Sequence, residues 1–149
     1  MTAKPGDDDA HLPDDLEAVV GFHIRLAHGA VYRHFTETFA DLGLTQKQVS
    51  VLWLVESTPG IAQTGLAARL QMDRATTMAI VNRLQARGYL LRGKSRDDGR
   101  KQTLHLTDAG RAALAEARRA IEAHEAWLKS RYTPAEVRTL IELLSRLHG

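Results

Sequence analysis

The stretch that decides the fold is residues 61–110, IAQTGLAARLQMDRATTMAIVNRLQARGYLLRGKSRDDGRKQTLHLTDAG. Its first half predicts a helix-turn-helix, with Thr64 as a cap of the first helix and Gln71-Met72 as the turn. Asp73 occupies the expected N-cap position of the second helix, and Gly88 the position just after its end. The inward face of that second helix is predicted to consist of Thr77, Ile80, Val81 and Leu84.

The second half of the stretch predicts a β-hairpin. Residues 90–92 and 103–106 have the composition of paired strands, and residues 93–101 between them contain no apolar side chain. A loop of that composition cannot bury itself, so it faces water or a polyanion. The sequence therefore predicts a two-stranded β-wing that follows the helix-turn-helix.

The charge of the chain is unevenly distributed. Residues 61–105 contain nine basic and three acidic side chains, a net charge of +6, whereas the whole chain carries +2. Residues 1–20 contain one basic and six acidic side chains, a net charge of −5. A basic segment of this kind can be an ordinary solvated surface, but combined with a helix-turn-helix it indicates binding to double-stranded DNA.

The stretch resembles the MarR family of bacterial winged-helix regulators. The matching residues are Arg83-Leu84, Gly88-Tyr89-Leu90, Arg92, Asp98-Gly99-Arg100 and Leu106-Thr107-Asp108-Ala109-Gly110. The order of the other predicted helices also fits, so the resemblance covers nearly the whole chain. One difference is that Met78 and Ala79 occupy positions in mid-recognition-helix where the family often has a Thr-Arg pair.

The resemblance implies a mainly α fold, namely a winged helix-turn-helix with an α-helical dimerisation region. We assign residues 1–11 to a disordered acidic tail, residues 12–44 and 107–149 to the dimerisation region, and residues 45–106 to the DNA-binding region. One long helix is predicted for residues 12–42, and capping boxes begin at Thr45 and Thr133. The apolar stripe along the helix that begins at Thr107 suits a partner helix, although an intramolecular bundle would explain it equally well.

The recognition helix is expected to lie in the major groove, with the wing beside it. Small and methyl-bearing side chains on its outer face suit thymine methyl groups, and Thr76 can donate a hydrogen bond. The predicted DNA-binding residues are Gln63, Thr64, Arg74, Ala75, Thr76, Met78, Ala79, Asn82, Arg83, Lys94, Arg96, Asp98 and Arg100. The resemblance implies that Asp98 orients a basic neighbour, whereas Asp98 can also be explained as a turn residue before Gly99.

A second group of residues suits a small-molecule effector. His23 and His34 fall within the apolar stripe of the first predicted helix, and Trp53 shares a face with Val49 and Leu52 of the next. Such histidines can be core residues, can lie at a dimer seam, or can be polar groups in an apolar ligand site. Because relatives bind phenolic or carboxylated aromatic effectors, we expect His23, His34, Trp53 and Arg74 to line such a site.

Composition restricts the remaining functions. The chain has no cysteine, which excludes disulfides and thiol-based redox sensing. It has no apolar run long enough to span a membrane and no secretory signal, so a cytoplasmic location is expected. Catalytic motifs are absent, and His23, His28 and His34 do not have the i, i+4 spacing of a helical zinc pair. We expect no cofactor and no metal, although a zinc site built from distant histidines stays open.

These observations favour a homodimeric transcriptional regulator, a repressor that a small aromatic effector releases from a palindromic operator. Two alternatives remain at this stage. The chain could be an architectural DNA-binding protein that responds to no ligand, or a small enzyme that uses a pocket at His23 and His34. A metabolite that changes DNA affinity would favour the regulator over the architectural protein. Turnover of a substrate in the absence of DNA would favour the enzyme.

Overall fold

The structure, a computed structural model, describes residues 11–97 and 99–149. Most of the acidic tail predicted for residues 1–11, and the wing residue Asp98, therefore lie outside the described residues. The chain divides into two compact units, one that ends at His34 and one that comprises Phe35–Gly149. The helices are α1 (Asp14–Glu17), α2 (Val20–Thr38), α3 (Gln46–Ser57), α4 (Gln63–Arg69), α5 (Arg74–Ala86), α6 (Asp108–Lys129) and α7 (Pro134–His148). The strands are β1 (Ile61–Ala62), β2 (Leu90–Lys94) and β3 (Gln102–Leu106).

The prediction of a single helix for residues 12–42 was wrong, because the chain forms three separate helices there. Helix α1 ends at Glu17, α2 begins at Val20, and a one-turn 3₁₀ helix, Ala40–Leu42, follows α2. The ring of His23 lies with its Nε2 2.6 Å from the carbonyl oxygen of Glu17. A continuous α-helix would use that carbonyl for a backbone N–H four residues on, so the His23 contact replaces a helical hydrogen bond at the break.

Helix ends follow the local capping chemistry. Both predicted capping boxes form, with Thr45 paired to Gln48 at the start of α3 and Thr133 paired to Glu136 at the start of α7. Thr107 caps α6 through the backbone N–H of Gly110, at 2.9 Å. Each cap satisfies backbone donors that would otherwise lack partners at the first turn. These signals are local, which explains why the sequence predicted all three starts.

The start of α4 differs from the prediction. Thr64 is not its cap, since the helix begins at Gln63 with Ala62 in the N-cap position and without a side-chain cap. Ile61 and Ala62 instead form β1, which pairs antiparallel with Leu104 and Thr103 of β3. That long-range pairing sets where the chain can turn into the helix, and it overrides the local preference of threonine for the cap.

The sheet has three antiparallel strands in the order β1-β3-β2. Strands β2 and β3 form the predicted hairpin, in register from Leu90 opposite Leu106 to Lys94 opposite Gln102. The hairpin is longer than predicted, because Gly93 and Lys94 belong to β2 rather than to the loop. The wing itself is thus two-stranded, and β1 adds a short third strand at the base of the hairpin.

The hydrophobic core of the Phe35–Gly149 unit lies between α3, α4, α5, α6 and the sheet. Its fully buried members include Leu52 of α3, Leu66 of α4, Leu84 of α5 and Leu104 of β3. Leu114 and Ala117 bring α6 into the same core, both with no exposed surface. The stripe of α6 therefore packs against its own chain, and of the two explanations given for it, the intramolecular one holds for these residues.

Helix α7 has a different environment. None of its side chains, all of which lie in the described part of the chain, is buried. Ile141, Leu143, Leu144 and Leu147 are exposed by 44–71%. Helix α2 likewise leaves Val20 and Ile24 exposed. These apolar side chains of α7 and α2 are not covered by the described residues of the chain.

Candidate DNA-binding surface and effector site

Helix α5 is oriented by its N-cap. The carboxylate of Asp73 accepts hydrogen bonds from the backbone N–H of Thr76 at 2.7 Å and from its hydroxyl at 2.9 Å. These two bonds, the backbone one first, lower the pKa of the Asp73 carboxyl below its usual 3.8. The Thr76 hydroxyl, predicted to donate to DNA, thus already donates to Asp73 in the free protein. Its lone pairs remain available as acceptors.

Helix α5 exposes the face opposite to its predicted inward face. Thr77, Val81 and Leu84 are buried toward the core. The opposite side exposes Arg74, Ala75, Met78, Ala79, Asn82 and Arg83. Met78, with half of its surface exposed, is the most prominent apolar side chain of this face. A surface of methyl groups flanked by amide and guanidinium groups suits the edges of base pairs and the phosphates beside them.

The wing presents cations at its distal end. Lys94, Arg96 and Arg100 are exposed, and Arg100 takes part in a further contact within the chain. The backbone N–H of Ser95 donates to the carbonyl of Lys101 at 3.0 Å, which extends the pairing of the hairpin by one hydrogen bond. A hairpin held in this way projects its basic side chains from a defined base, as a groove- or phosphate-binding wing requires.

Besides Arg100, three of the nine basic residues counted in the sequence have partners within the described part of the protein. Arg69 donates to the hydroxyl of Thr58 at 3.1 Å. Arg87 donates to the carbonyl of Gly43 at 2.8 Å, and its guanidinium lies 4.8 Å from the centre of the Tyr89 ring. Arg92 donates to side chains of α4 and α5. The net charge of +6 therefore overstates the number of free phosphate contacts, although every cation still contributes to the positive field.

Two predicted residues of the helix-turn-helix lie at the start of α4. Gln63 is half-buried, and its side-chain oxygen faces Arg92 at 3.4 Å. Thr64 is exposed in the first turn, where backbone N–H groups have no helical partner and can bind a phosphate. Arg92 also donates to the side-chain oxygen of Gln85, a partner that was not predicted from the sequence. No local pattern could reveal it, since it is brought to Arg92 only by the packing of α5 against β2.

The residues predicted for an effector site fall into both units. His23, in the unit that ends at His34, is exposed and bonded to Glu17, and His34 is half-buried. In the other unit Trp53 is 41% exposed, and the guanidinium of Arg118 lies 4.7 Å from the centre of its ring. Arg118 also pairs with Glu56 at 2.8 Å. Arg74, the fourth predicted residue, is exposed on α5.

The histidine buried in the core is His124, rather than His23 or His34. His124 of α6 is 6% exposed and lies edge-on to Phe35, with ring centres 5.6 Å apart. Trp127 stacks on its other side at 5.8 Å. The described residues contain no group of three or more side chains that could hold a metal ion. Nor does any helix among them have the length and apolar composition needed to cross a membrane.

A helix-turn-helix with an exposed outer face, followed by a basic β-wing, defines the winged-helix class of DNA-binding regulators. The sequence profile of the MarR family matches residues 42–101. A protein of Thauera aromatica named as a transcriptional regulatory protein for the hcr operon is 34% identical over 130 residues, which is 87% of this chain and 78% of that protein. The chain belongs to the MarR family.

Solved structures agree with this assignment. The transcriptional repressor CouR bound to a 23-mer DNA duplex superposes with a TM-score of 0.88 and 31% identity, over 94% of this chain and 100% of that one. BpsR of Bordetella bronchiseptica, whose DNA binding is regulated by 6-hydroxynicotinic acid, gives a TM-score of 0.85 and 26% identity, over 92% and 98% of the two chains. These relatives are transcriptional regulators, so the chain is a regulator and not an enzyme.

Proposed function

We propose that this protein is a repressor that binds a palindromic operator as a homodimer and is released by a small aromatic effector, either phenolic or carboxylated. The observation that carries the proposal is the exposed outer face of α5 beside a basic wing, on a fold that matches a DNA-bound repressor over 94% of the chain. Such a regulator acts on the chromosome and thus in the cytoplasm. The architectural alternative differs in that no metabolite would change its DNA affinity.

The exposed apolar side chains of α7 support the homodimer. Leucine and isoleucine side chains exposed by 44–71% along one helix are costly in water, at roughly 25 cal/mol for each Å² of apolar surface. A second copy of the chain would cover them with the same surface, as a two-fold interface does. Two-fold symmetry of the protein also matches the symmetry of a palindromic operator.

The ligands of relatives support the chemical class of the effector. CouR has also been solved with p-coumaroyl-CoA, at 30% identity and a TM-score of 0.82 to this chain. Both p-coumaroyl-CoA and 6-hydroxynicotinic acid contain an aromatic ring that carries a hydroxyl group. The acyl group is attached directly to the ring in 6-hydroxynicotinic acid and through a side chain in p-coumaroyl-CoA. Within the Phe35–Gly149 unit, the aromatic ring of Trp53 with the Arg118 cation supplies apolar and charged groups of matching chemistry. The imidazoles of His23 and His34 remain the proposed polar groups of the other unit.

Fluorescence tests the effector proposal. In a Trp127→Phe background, Trp53 is the sole tryptophan, and quenching during titration with p-coumaroyl-CoA, 4-hydroxybenzoate or 6-hydroxynicotinate reports binding. A ligand that acts as effector must also lower DNA affinity, by roughly 5- to 150-fold for a coupling of about 1–3 kcal/mol. A ligand that binds without changing DNA affinity would contradict the switch. If none of the three changes DNA affinity, the architectural alternative is favoured.

Histidine variants locate the effector site. His34→Ala is expected to weaken ligand binding and leave DNA binding unchanged. His23→Ala needs a stability control, since His23 also contacts Glu17 at the break between α1 and α2. If both variants retain the full ligand response, the site lies elsewhere.

A further inference from the structure

Arg92 joins three elements of the DNA-binding region. It lies at the centre of β2, and its guanidinium donates to the side-chain oxygen of Asn82 at 2.6 Å and to that of Gln85, both on α5. The same group faces the side-chain oxygen of Gln63 on α4 at 3.4 Å. Asn82 and Gln85 are three residues apart and so share one face of their helix. One cation thereby holds three amide side chains.

The chemistry of the guanidinium fixes how these amides are turned. Arginine has five N–H donors and no acceptor, so only the oxygen of an amide can face it. Each amide that binds Arg92 must direct its NH2 group away from Arg92. Asn82 is exposed on the outer face of α5, so the two N–H donors of its NH2 group are available to a partner outside the protein.

A fixed amide recognises DNA differently from a free one. A free asparagine or glutamine can read adenine by accepting from N6 and donating to N7 at the same time. Arg92 occupies one lone pair of the Asn82 oxygen and fixes the amide, while both N–H donors of its NH2 group stay available. Those donors match the O6 and N7 atoms of guanine or phosphate oxygens.

We propose that Arg92 is a positioning residue that fixes the Asn82 amide so that its NH2 group faces hydrogen-bond acceptors on DNA. Arg92 itself is half-buried, and its Nε is buried without a hydrogen-bond partner among the described residues. Its guanidinium is thus directed at the protein, in contrast to the exposed Arg83 of α5. The inference rests on the proposed operator binding and adds the residue that sets its sequence preference.

Selection of binding sites from a pool of random duplexes tests the inference. Asn82→Asp keeps an oxygen for Arg92 and replaces the outward NH2 by a second oxygen. We expect this variant to remain folded and to lose at least about fivefold in affinity for the sequence that the wild type enriches. Arg92→Ala frees the amides to rotate, so its selected sequences should be less restricted at the positions that Asn82→Asp affects.

Salt dependence separates positioning from direct contact. If Arg92 bound a phosphate, Arg92→Ala would flatten the slope of log K against log salt by about 0.9. We expect a smaller change together with altered base preferences. Arg111→Ala is the matched control, since it removes one cation from the exposed start of α6 and should leave the selected sequence unchanged. Circular dichroism reports whether each variant is folded.

Modified duplexes identify the acceptor. Replacing guanine by 7-deazaguanine removes a base acceptor, and a methylphosphonate removes a phosphate charge. The wild type should lose affinity with one of these at the position that Asn82→Asp affects, and Asn82→Asp should be insensitive to it. The inference is overturned if Asn82→Asp retains the affinity and preferences of the wild type, or if Arg92→Ala changes only the salt slope. A wild type that enriches no sequence contradicts the operator binding itself, and the inference with it.

Discussion

Gly110 allows α6 to pass close to the chain at Tyr89. A Cβ atom at Gly110 would lie 2.2 Å from the carbonyl oxygen of Tyr89, far inside contact distance and against backbone rather than a movable side chain. Gly88 is required for another reason, since its φ is +78° and its Cβ would meet no atom within 4 Å. The two glycines thus distinguish a steric requirement from a conformational one.

Alanine variants of these two glycines should differ in stability. Gly88→Ala should lower the free energy of unfolding by about 1–2 kcal/mol, the cost of a left-handed alanine. Gly110→Ala should cost more, at or above the upper end of the about 1–3 kcal/mol typical of an overpacked core, because α6 and the backbone at Tyr89 must separate. Urea denaturation followed by circular dichroism measures both. Equal losses would contradict the close approach at Tyr89.

The Asp73 cap predicts a pH dependence of stability. Hydrogen bonds from Thr76 lower the pKa of the Asp73 carboxyl in the folded state below its usual 3.8. Its stabilising effect is therefore complete above that usual value and is lost as the pH falls through the lowered one. The stability advantage of the wild type over Asp73→Ala should shrink below about pH 4. Melting temperatures of both proteins between pH 3 and pH 7 provide the test, and a constant difference would contradict it.

Residues with local partners could be predicted from the sequence, and residues with distant partners could not. Asp73, Thr45 and Thr133 bond to groups three residues away, so the pattern of the sequence contains both partners. Arg87 reaches a carbonyl 44 residues earlier in the chain, and the basic count alone treated it as part of a DNA-binding surface. Its partner, the carbonyl of Gly43 just after the 3₁₀ helix, is brought to Arg87 only by the tertiary fold.

For the elements, the exposed cations of the wing predict a contribution to the salt dependence of DNA binding. Arg96 and Arg100 are exposed near the end of the β2–β3 hairpin. Substituting either by alanine should weaken DNA binding and reduce the slope of log K against log salt by about 0.9 if that residue contacts one phosphate. Anisotropy titrations with a labelled duplex at several salt concentrations measure the slope.

Arg69→Ala is the matched control for the wing variants. Arg69 carries the same charge as Arg96 but donates to Thr58 within the protein. Its slope should change less than that of a wing variant. If both wing variants retained the slope of the wild type, the wing would not be part of the DNA interface.

Element boundaries show where sequence reasoning succeeds and where it fails. The helix-turn-helix, the wing and the starts of α3, α6 and α7 were predicted, because periodicity and capping signals are local. The break between α1 and α2 and the strand β1 were missed. The break lies where the His23 side chain contacts the carbonyl of Glu17, six residues earlier. Strand β1 forms by pairing with β3, about 40 residues further along the chain.

At the scale of the whole molecule, the exposed side chains of α7 predict an interface that can be broken without unfolding the chain. Leu144 is 44% exposed, so Leu144→Asp should leave the Phe35–Gly149 unit folded. In a dimer the same carboxylate would be buried without a partner, at a cost of several kcal/mol. Sedimentation equilibrium at micromolar concentration should show a dimer for the wild type and a monomer for Leu144→Asp.

Ile121 serves as the contrasting position. It packs against the hydrophobic core of its own chain. Ile121→Asp should therefore lower the melting temperature, whereas Leu144→Asp should dissociate the dimer with the fold retained. A Leu144→Asp protein that is still dimeric would place the interface on other residues.

We propose that two copies of this chain bind a two-fold operator through α5 and the wing. Binding-site selection from random duplexes, followed by the stoichiometry of the complex on the selected site in sedimentation, tests this claim. We predict a palindrome with half-sites centred about 10 base pairs apart, or a multiple of that distance, bound by two chains. Tight binding of a single chain to one half-site, or no enriched sequence, would contradict the claim.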